Sequence, residues 1–310
     1  MPIVIPKNLP AYKILTDENI FVMAKLRASR QDIRPIEIAI LNLMPTKIDT
    51  ENQLLRLLSN SPLQINLTLV QTKSYQATHV SIDHMQTFYK TFDQIKDLKF
   101  DGMIITGAPV ENMPFEEVKY WRELTEIFDY CEQNVTSTVF ICWASQAAAY
   151  HYYGIRKHML DKKLFGVFSN YAVEKNEILL KGMNDIFYMP QSRHTAIDEK
   201  AIYDNEKLAV LSRSDESGIS IFKSKDNSKI FITGHAEYDR FTLRDEYLRD
   251  VGKNLPIDKP KNYFIGDDLD KVDMSWLSTA NLLFYNWLNY YIYQETPYNR
   301  DDINKNRRTL

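Results

Sequence analysis

The sequence predicts an α/β fold built on a mostly parallel, doubly wound sheet that is flanked by helices. Between residues 36 and 153, apolar runs of strand length alternate four times with helical patterns. Such alternation is typical of a parallel sheet in which helices connect successive strands. Three further strand-like runs in the C-terminal half have no helical pattern between them, so we expect antiparallel strands to extend the sheet there.

Length and composition favour one large globular unit. The chain has 310 residues, of which 44% are hydrophobic and 12% aromatic, and this is enough apolar surface for a substantial core. We expect an N-terminal arm at 1–34, with a short helix at about 17–27, then a single α/β catalytic domain at 35–298 and a polar tail at 299–310.

Charge and cysteine content argue against several classes of protein. The formal net charge is −3 and the pI is about 6.1, with acidic and basic residues interleaved, so no basic face for nucleic acid or anionic lipid is expected. The apolar stretch 282–293 is too short to span a bilayer, and residues 1–7 lack the pattern of a signal peptide. Two cysteines cannot form a disulfide framework. We therefore expect a cytoplasmic protein that acts on small molecules, without a membrane or nucleic-acid partner.

The elements of the first half follow one another in a regular order. Apolar or alternating runs predict strands at 36–43, 65–69, 100–106 and 135–141. Helical spacing predicts a helix after each strand, at about 50–60, 81–98, 115–132 and from 143 onward. The first of these helices has Thr50 and Gln53 at the spacing of a capping box, and Pro45 ends the strand before it.

The second half combines strands with two further helices. Strand-like runs occupy 208–212, 218–222 and 229–233, and helices are predicted at 240–251 and 276–294. The last helix carries an aromatic stripe, which indicates core packing or a homodimer surface.

The turn between the fourth strand and its helix places a cysteine in a chemically favourable position. Cys142 stands where the β-branched run 135–141 meets an Ala-rich helical run. Unpaired N–H groups and the dipole at a helix N-terminus favour a thiolate. In a nucleophile elbow, the backbone N–H of Trp143 would point in the same direction as the Cys142 sulfur and form half of an oxyanion hole. We therefore interpret Cys142 as a nucleophile, and the alternative is a buried structural cysteine.

A second strand end supplies a base. The last strand-like run leads into a loop with His235 and Glu237, whose side chains lie on the same face of an extended chain. A thiol nucleophile needs a base near neutral pH, and a carboxylate on the other ring nitrogen orients that base. Because active sites of parallel sheets lie at the carboxyl ends of strands, we expect Cys142, Lys47 and the loop 107–112 at the same edge. Lys47 is a candidate cation beside a developing oxyanion.

A cysteine followed far downstream by His-x-Glu on an α/β sheet resembles the class I glutamine amidotransferases. That family usually places glycines on both sides of the cysteine, whereas here Ile141 precedes Cys142 and Trp143 and Ala144 follow it. A glutaminase that releases ammonia from glutamine is therefore one alternative function on the same scaffold. Another is a ligand-sensing α/β module whose Cys142 is redox-reactive and forms no acyl-enzyme.

Longer motifs along the chain carry a second and more specific resemblance. They are Leu-Asn-Leu-Met-Pro-Thr-Lys at 41–47, Thr-Glu-Asn-Gln-Leu-Leu-Arg-Leu-Leu-Ser-Asn-Ser-Pro-Leu-Gln at 50–64, Thr-Gly-Ala-Pro at 106–109, Thr-Ser-Thr-Val-Phe-Ile-Cys-Trp-Ala at 136–144, Thr-Gly-His-Ala-Glu-Tyr-Asp at 233–239 and Asn-Trp-Leu-Asn-Tyr-Tyr-Ile-Tyr-Gln-Glu-Thr-Pro-Tyr at 286–298. With these motifs the chain resembles the homoserine O-acyltransferases of methionine biosynthesis. The resemblance extends from about residue 2 to residue 298, and it implies an amidotransferase-like fold.

The resemblance implies a ping-pong transfer of an acyl group. Cys142 would take the acyl group from acyl-CoA as a thioester, and the hydroxyl of L-homoserine would then receive it. His235 would be the proton acceptor and Glu237 its orienting carboxylate. Exchange of one thioester for another retains the driving force for forming an oxygen ester, so we expect neither a metal nor a cofactor, with acyl-CoA as a co-substrate.

The resemblance also implies which residues contact the substrates. Lys163, Ser192 and Arg249 match substrate-contact positions of the family, and the guanidinium of Arg249 suits the homoserine carboxylate because it can bind it bidentately. Glu111 falls at the acyl pocket, where succinyl-specific members have a glycine. A carboxylate there would crowd and repel a succinyl group, so we expect acetyl-CoA and L-homoserine as substrates. Succinyl-CoA is the alternative donor, and a homodimer is the expected assembly.

The remaining histidines and the second cysteine have plainer interpretations. The pairs His79 with His84 and His151 with His158 lack the i, i+4 spacing and the additional ligands of a metal site. Cys131 lies within a predicted helix and is interpreted as structural.

Overall fold

The computed structural model describes residues 3–18, 20–24, 28, 34–74, 80–174, 176–266 and 268–303. Within these residues the strands form one twelve-stranded sheet. The strands are β1 (Ile3–Val4), β2 (Val22–Met23), β3 (Ile36–Leu41), β4 (Ile65–Gln71), β5 (Tyr89–Thr91), β6 (Phe100–Ile105), β7 (Val135–Ile141), β8 (Lys157–Ala172), β9 (Ile186–Ile197), β10 (Leu208–Ser214), β11 (Gly218–Ser224) and β12 (Lys229–Ile232).

Helices pack on both sides of this sheet. Those of the described residues are α1 (Pro10–Asp17), α2 (Lys47–Ser59), α3 (Ile82–Phe88), α4 (Trp121–Asn134), α5 (Trp143–Tyr153), α6 (Glu199–Tyr203), α7 (Thr242–Gly252) and α8 (Leu277–Asn286). A π-helix at Trp287–Tyr293 continues α8.

The strand order confirms the predicted doubly wound sheet with its antiparallel extension. From one edge the order is β2-β1-β4-β3-β6-β7-β12-β11-β10-β8-β9, and β5 pairs with β4. Neighbouring strands from β2 to β12 are parallel, whereas those from β12 to β9 are antiparallel. Strand β12 therefore stands at the boundary between the two parts, and its carboxyl end lies beside that of β7.

Both faces of the parallel strands are buried, which is why these strands read as continuous apolar runs. Ile38 and Ile40 of β3 pack into one apolar cluster with residues of α2 and α8. Ala39 and Leu41 of the same strand pack into the cluster on the opposite face, with residues of α4 and α5. Because helices cover both faces, we expect the functional residues in the loops at the carboxyl edge of the sheet.

The predicted helix at 17–27 is wrong. Helix α1 ends at Asp17, and it begins at Pro10, since proline has a preset φ and lacks an N–H that would be unsatisfied in the first turn. Val22 and Met23 form β2 instead and pair in parallel with β1, while residues 25–27 lie outside the described residues. Strands β1 and β2 of the predicted N-terminal arm are thus part of the main sheet.

The helix predicted at 81–98 ends early. Helix α3 stops at Phe88, and residues 89–91 pair with β4 as β5. The Tyr89 hydroxyl donates to the buried carboxylate of Glu51 at 2.6 Å and accepts from Asn42 at 3.0 Å. These long-range contacts favour an extended Tyr89 over another helical turn.

Two helix starts also differ from the prediction. Helix α2 begins at Lys47, so Thr50 lies inside it and does not form a capping box; its hydroxyl donates back to the carbonyl of Thr46 at 3.2 Å. The helix predicted from 115 begins only at Trp121, because residues 115–117 form a separate 3₁₀ turn that ends in an extended residue.

Strands β8 and β9 form a long antiparallel pair that no sequence pattern predicts. Their register shifts between Met159 and Leu164. The charged run 161–163 falls within this shift and interrupts the alternation of apolar and polar residues, so the period of two that marks a strand is lost.

The largest side chains of the aromatic stripe near the C-terminus lie in the core, whereas Tyr293 is exposed. The indole N–H of Trp287 donates to the Ser137 hydroxyl of β7 at 3.1 Å, and Trp276, Trp287 and Tyr291 are all buried. Among the described residues, no helix has the length and apolar character that crossing a membrane requires.

Candidate active site

Cys142 occupies a sharp turn between β7 and α5. Its φ is 50° and its ψ is −116°, a backbone conformation that non-glycine residues rarely adopt and that persists only where the surroundings impose it. The Cys142 N–H donates to the carbonyl of Ile232 in β12 at 2.7 Å, and the Ser145 hydroxyl donates to the Cys142 carbonyl at 2.6 Å. These contacts hold the thiol at the N-terminus of α5, as in a nucleophile elbow.

His235 and Glu237 form a buried pair at the neighbouring strand end. Nδ1 of His235 donates to Oε1 of Glu237 at 2.7 Å, and each side chain is 4% exposed. Burial opposes the charged imidazolium, but the charges of Cys142 and Glu237, with hydrogen bonds to both, raise the pKa of His235 well above its ordinary value. The imidazole is therefore suited to hold a proton beside the Cys142 sulfur.

The parallel pairing of β7 with β12 brings Cys142 and His235 together. Ile141 is in register with Ile232, so the residues that follow these two leave the sheet side by side. Gly107, which follows β6, lies against both side chains: a Cβ added to it would be 3.3 Å from Cβ of Cys142 and 3.5 Å from Cε1 of His235. The loop after β6 therefore forms a wall of the same site.

Lys163, Ser192 and Arg249 gather around two carboxylates of α7. The Ser192 hydroxyl donates to Oε2 of Glu246 at 2.5 Å. Nζ of Lys163 lies 3.6 Å from the same oxygen and 3.5 Å from Oδ2 of Asp250, and Nε of Arg249 donates to Oδ1 of Asp250 at 2.7 Å. The structure thus brings the three predicted residues into one cluster, which we call the α7 polar cluster.

Tyr238 connects the α7 polar cluster to His235. Its hydroxyl donates to Oε1 of Glu246 at 2.8 Å, and its ring stacks on the imidazole with the ring centroids 4.1 Å apart. Neither Glu246 nor Tyr238 is among the residues predicted for the site. One signal was present, because Glu246 and Arg249 are three residues apart on a predicted helix and therefore share a face.

Lys47 lies at the predicted edge of the sheet, as the first residue of α2. It is buried, and its Nζ donates to the carbonyl oxygens of Asn42 at 2.5 Å and Met44 at 3.2 Å. Burial lowers its pKa to about 8, while the negative charge of Glu51 opposes that shift. Its role beside an oxyanion stays a prediction.

Glu111 is half-buried in the loop after β6. Its Oε1 accepts from the backbone N–H of His194 in β9 at 3.1 Å, so the carboxylate has a defined place. The buried guanidinium of Arg193 lies within electrostatic reach of both Glu111 and Cys142. The residue predicted for the acyl pocket and the predicted nucleophile therefore border the same region of the protein.

Cys131, His84 and His151 each have a defined place in the fold. Cys131 is buried in α4. His84 contacts the Glu51 carboxylate at 3.0 Å, His151 contacts a carboxylate of α4 at 2.7 Å, and His79 lies outside the described residues. Across the described part of the chain, no group of three or more His, Cys, Asp or Glu residues is arranged to hold a metal ion.

Comparison with known proteins identifies the family. The homoserine O-succinyltransferase family matches residues 2–298 of the chain. The chain belongs to this family. Proteins named homoserine O-acetyltransferase from Acetivibrio thermocellus and Thermotoga petrophila are 53% and 54% identical to it over 304 residues, which cover 98% of this chain and 100% of each relative. The resemblance to homoserine O-acyltransferases is confirmed.

Solved structures show the same fold in more distant proteins. A glutamine amidotransferase of Thermotoga maritima superimposes with a TM-score of 0.52 at 12% identity, over 83% of this chain and 98% of that protein. At such low identity the similarity concerns the fold alone, and it confirms the amidotransferase-like architecture.

The unequal roles predicted for His235 and Glu237 imply unequal losses on substitution. His235→Ala removes the predicted proton acceptor and should lower kcat/KM by about 10²- to 10⁴-fold. Glu237→Gln keeps a hydrogen bond to Nδ1 but loses the charge that stabilises the imidazolium, so its loss should be smaller. Steady-state kinetics on both variants, with circular dichroism to verify folding, measures the difference. Near-wild-type rates in both would contradict this assignment.

Proposed function

We propose that the protein transfers an acetyl group from acetyl-CoA to the hydroxyl of L-homoserine, giving O-acetyl-L-homoserine and CoA in methionine biosynthesis. The observation that carries this proposal is the Cys142 turn beside the buried pair of His235 and Glu237. It supports a covalent acyl-enzyme, and the names of the relatives support homoserine as the acceptor. We further propose that the protein acts in the cytoplasm as a homodimer.

In the first half-reaction, acetyl-CoA acylates the enzyme. His235 accepts the proton of the Cys142 thiol, and the thiolate attacks the carbonyl carbon of the thioester. The N–H of Trp143 and the ammonium of Lys47 stabilise the negative charge that develops on the carbonyl oxygen. The imidazolium then protonates the CoA sulfur as its bond to carbon breaks. One thioester replaces another, so Cys142 carries the acetyl group without loss of driving force.

In the second half-reaction, homoserine takes the acetyl group. His235 accepts the proton of the homoserine hydroxyl, whose oxygen attacks the acetyl carbonyl of the Cys142 thioester. The Cys142 sulfur leaves and recovers its proton from His235. Through both steps Glu237 holds Nδ1 and stabilises the imidazolium, because its carboxylate is close to the ring and has little water to screen it.

The α7 polar cluster matches the charges of a free amino acid. Lys163 and Arg249 supply cations for the homoserine carboxylate, and Glu246 and Asp250 supply anions for its ammonium group. In the structure these groups pair with one another, so a zwitterion can replace their mutual contacts at little change in total charge. Ser192 adds a hydroxyl within the same cluster.

Glu111 supports acetyl-CoA as the donor. Its carboxylate is half-buried and held by the His194 N–H, and a succinyl group would bring a second carboxylate toward it. Like charges about 4 Å apart at an effective dielectric near 20 repel by roughly 4 kcal/mol, a discrimination on the order of 10³-fold that solvent access reduces. Succinyl-CoA is the alternative donor, as the family's description indicates.

A glutaminase is the second candidate function, favoured by the fold that the chain shares with a glutamine amidotransferase. It would use the same Cys142 and His235, but it would hydrolyse glutamine and release ammonia. Two incubations separate these functions. A glutaminase would release ammonia from glutamine alone and would form no O-acetylhomoserine from acetyl-CoA and homoserine. The acetyltransferase would give the reverse result.

The acyl-enzyme predicts a mass change at one residue. After incubation with acetyl-CoA and no homoserine, we expect the intact protein to gain one acetyl group, mapped to Cys142 by peptide mass spectrometry. Cys142→Ala should abolish the label and both half-reactions, whereas Cys131→Ala, the matched control, should keep them. A label on Cys131, or activity in Cys142→Ala, would refute the nucleophile assignment.

Glu246→Gln should weaken homoserine binding while leaving enzyme acylation intact. The amide oxygen can still accept from Ser192 or Tyr238, and the amide NH₂ can donate to the other hydroxyl. The neutral amide cannot form an ion pair with an ammonium group, and a hydrogen bond between charged groups corresponds to roughly a tenfold or larger factor. We expect KM for homoserine to rise by about that factor and the rate of CoA release without homoserine to stay unchanged. Asp245→Asn, on the exposed side of α7, is the control. An unchanged KM in Glu246→Gln would exclude this role.

Glu111→Gly should shift donor preference toward succinyl-CoA, because it removes both the bulk and the charge that oppose a longer anionic group. Glu111→Gln removes the charge alone and should have an intermediate effect. The measurement is kcat/KM with each donor for wild type and both variants. A wild-type enzyme that prefers succinyl-CoA, or a preference unaffected by either substitution, would overturn the donor assignment.

A further inference from the structure

A lysine on a different strand holds the loop that carries Glu111. This loop, residues 107–113, is called the donor loop here. Lys157, the first residue of β8, donates its Nζ to the backbone carbonyls of Glu111 and Met113, the latter at 2.7 Å. The same ammonium lies 4.7 Å from the centroid of the Phe115 ring. One cation thus binds the donor loop at two points, the carbonyl of Glu111 and the carbonyl of Met113.

The Glu111 side chain has a separate anchor close to this one. Its Oε1 accepts from the His194 N–H of β9 at 3.1 Å. Lys157 pairs with Ile197 of the same strand, so both anchors belong to the β8–β9 ladder. Main chain and side chain of Glu111 are therefore held by one rigid part of the sheet.

The ammonium of Lys157 is positioned by its surroundings. Burial lowers the pKa of Lys157, and the negative charge of Glu111 opposes that shift. Hydrogen bonds from a charged donor to two carbonyls are stronger and more directional than those between neutral groups. The contacts therefore have the strength needed to select one conformation of the donor loop.

We propose that Lys157 is a positioning residue for the choice of acyl donor: it fixes the donor loop so that the Glu111 carboxylate meets the incoming acyl group. This inference rests on the proposed function, in which Glu111 excludes succinyl-CoA. Lys157 need not touch the donor. Without Lys157, the carbonyls of Glu111 and Met113 lose their shared cation, and the loop can adopt other conformations. The Glu111 carboxylate can then turn toward solvent, where its repulsion of a succinyl group is weaker.

The opposite role makes the opposite prediction. If Lys157 were instead a cation that attracts the succinyl carboxylate, its removal would make the enzyme more selective for acetyl-CoA. If it positions Glu111, its removal makes the enzyme less selective. The sign of the change in the ratio of kcat/KM for acetyl-CoA to kcat/KM for succinyl-CoA therefore separates the two roles.

The test measures that ratio in three variants. Lys157→Met should lower it by roughly tenfold, the factor associated with losing one hydrogen bond to a charged group, while KM for homoserine stays at its wild-type value. Lys157→Arg retains a cation with several donors and should preserve most of the ratio. Lys162→Met, at an exposed position of the same strand, is the matched control and should leave the ratio unchanged.

A second pair of variants separates failure of this inference from failure of the proposed function. In a Glu111→Gly background there is no carboxylate to position, so Lys157→Met should cause no further change in the ratio. If Glu111→Gly alone leaves the ratio unaltered, the donor role of Glu111 fails. If Glu111→Gly changes it but Lys157→Met leaves it unchanged or raises it, only the role of Lys157 fails. If Lys157→Met does not fold, Lys157→Gln replaces it, because the side-chain amide can still donate to a carbonyl. Lys157→Gln should give an intermediate ratio, and a wild-type ratio in this variant would refute the role.

Discussion

The hydrogen bond from the Cys142 N–H to the Ile232 carbonyl is the contact on which the candidate active site depends. It continues the parallel ladder of β7 and β12 by one residue, and it holds Cys142 at a positive φ whose cost is on the order of 1–3 kcal/mol. Burial of β7 and β12 on both faces offsets that cost. The ladder ends at Ile232, and the N–H of His235, three residues later, donates to the Pro190 carbonyl of β9 at 2.8 Å. Contacts with the sheet therefore hold both the thiol and the imidazole in place.

Charged groups are paired at two places on this edge of the sheet. His235 lies between Cys142 and Glu237. Oε2 of Glu237 is buried with no hydrogen-bond partner among the described residues, so the imidazole is the principal polar contact of the Glu237 carboxylate. The α7 polar cluster joins two cations to two carboxylates. Lys163, Glu246 and Asp250 are largely buried, whereas Arg249 is exposed. Buried charges are costly unless they are paired, and this pairing holds the three buried groups in place before a substrate arrives.

The amidotransferase-like fold does not by itself decide the reaction, since one scaffold supports several chemistries. In the proposed mechanism, what distinguishes transfer from hydrolysis is the molecule that attacks the Cys142 thioester. The α7 polar cluster offers complementary charges to an amino acid, and Tyr238 joins that cluster to His235 through a hydrogen bond and a stacked ring. An acceptor bound there would lie next to the base that must remove its proton.

Local patterns in the sequence were sufficient for the alternating strands and helices of the first half, the strand–Cys142–helix turn, and the pairing of His235 with Glu237. These depend on periodicity, turn chemistry and motifs, which are written within a few neighbouring residues. Other features depend on partners far along the chain. Tyr89 leaves its predicted helix because Glu51 and β4 contact it, and β8 with β9 is a pair stabilised by mutual hydrogen bonds across an irregular register. Likewise the role proposed for Glu246 depends on its contacts with Ser192 and Tyr238, and the role proposed for Lys157 depends on its contacts with the donor loop. Tertiary structure decided these because a hydrogen bond between distant residues leaves no periodic trace in either segment.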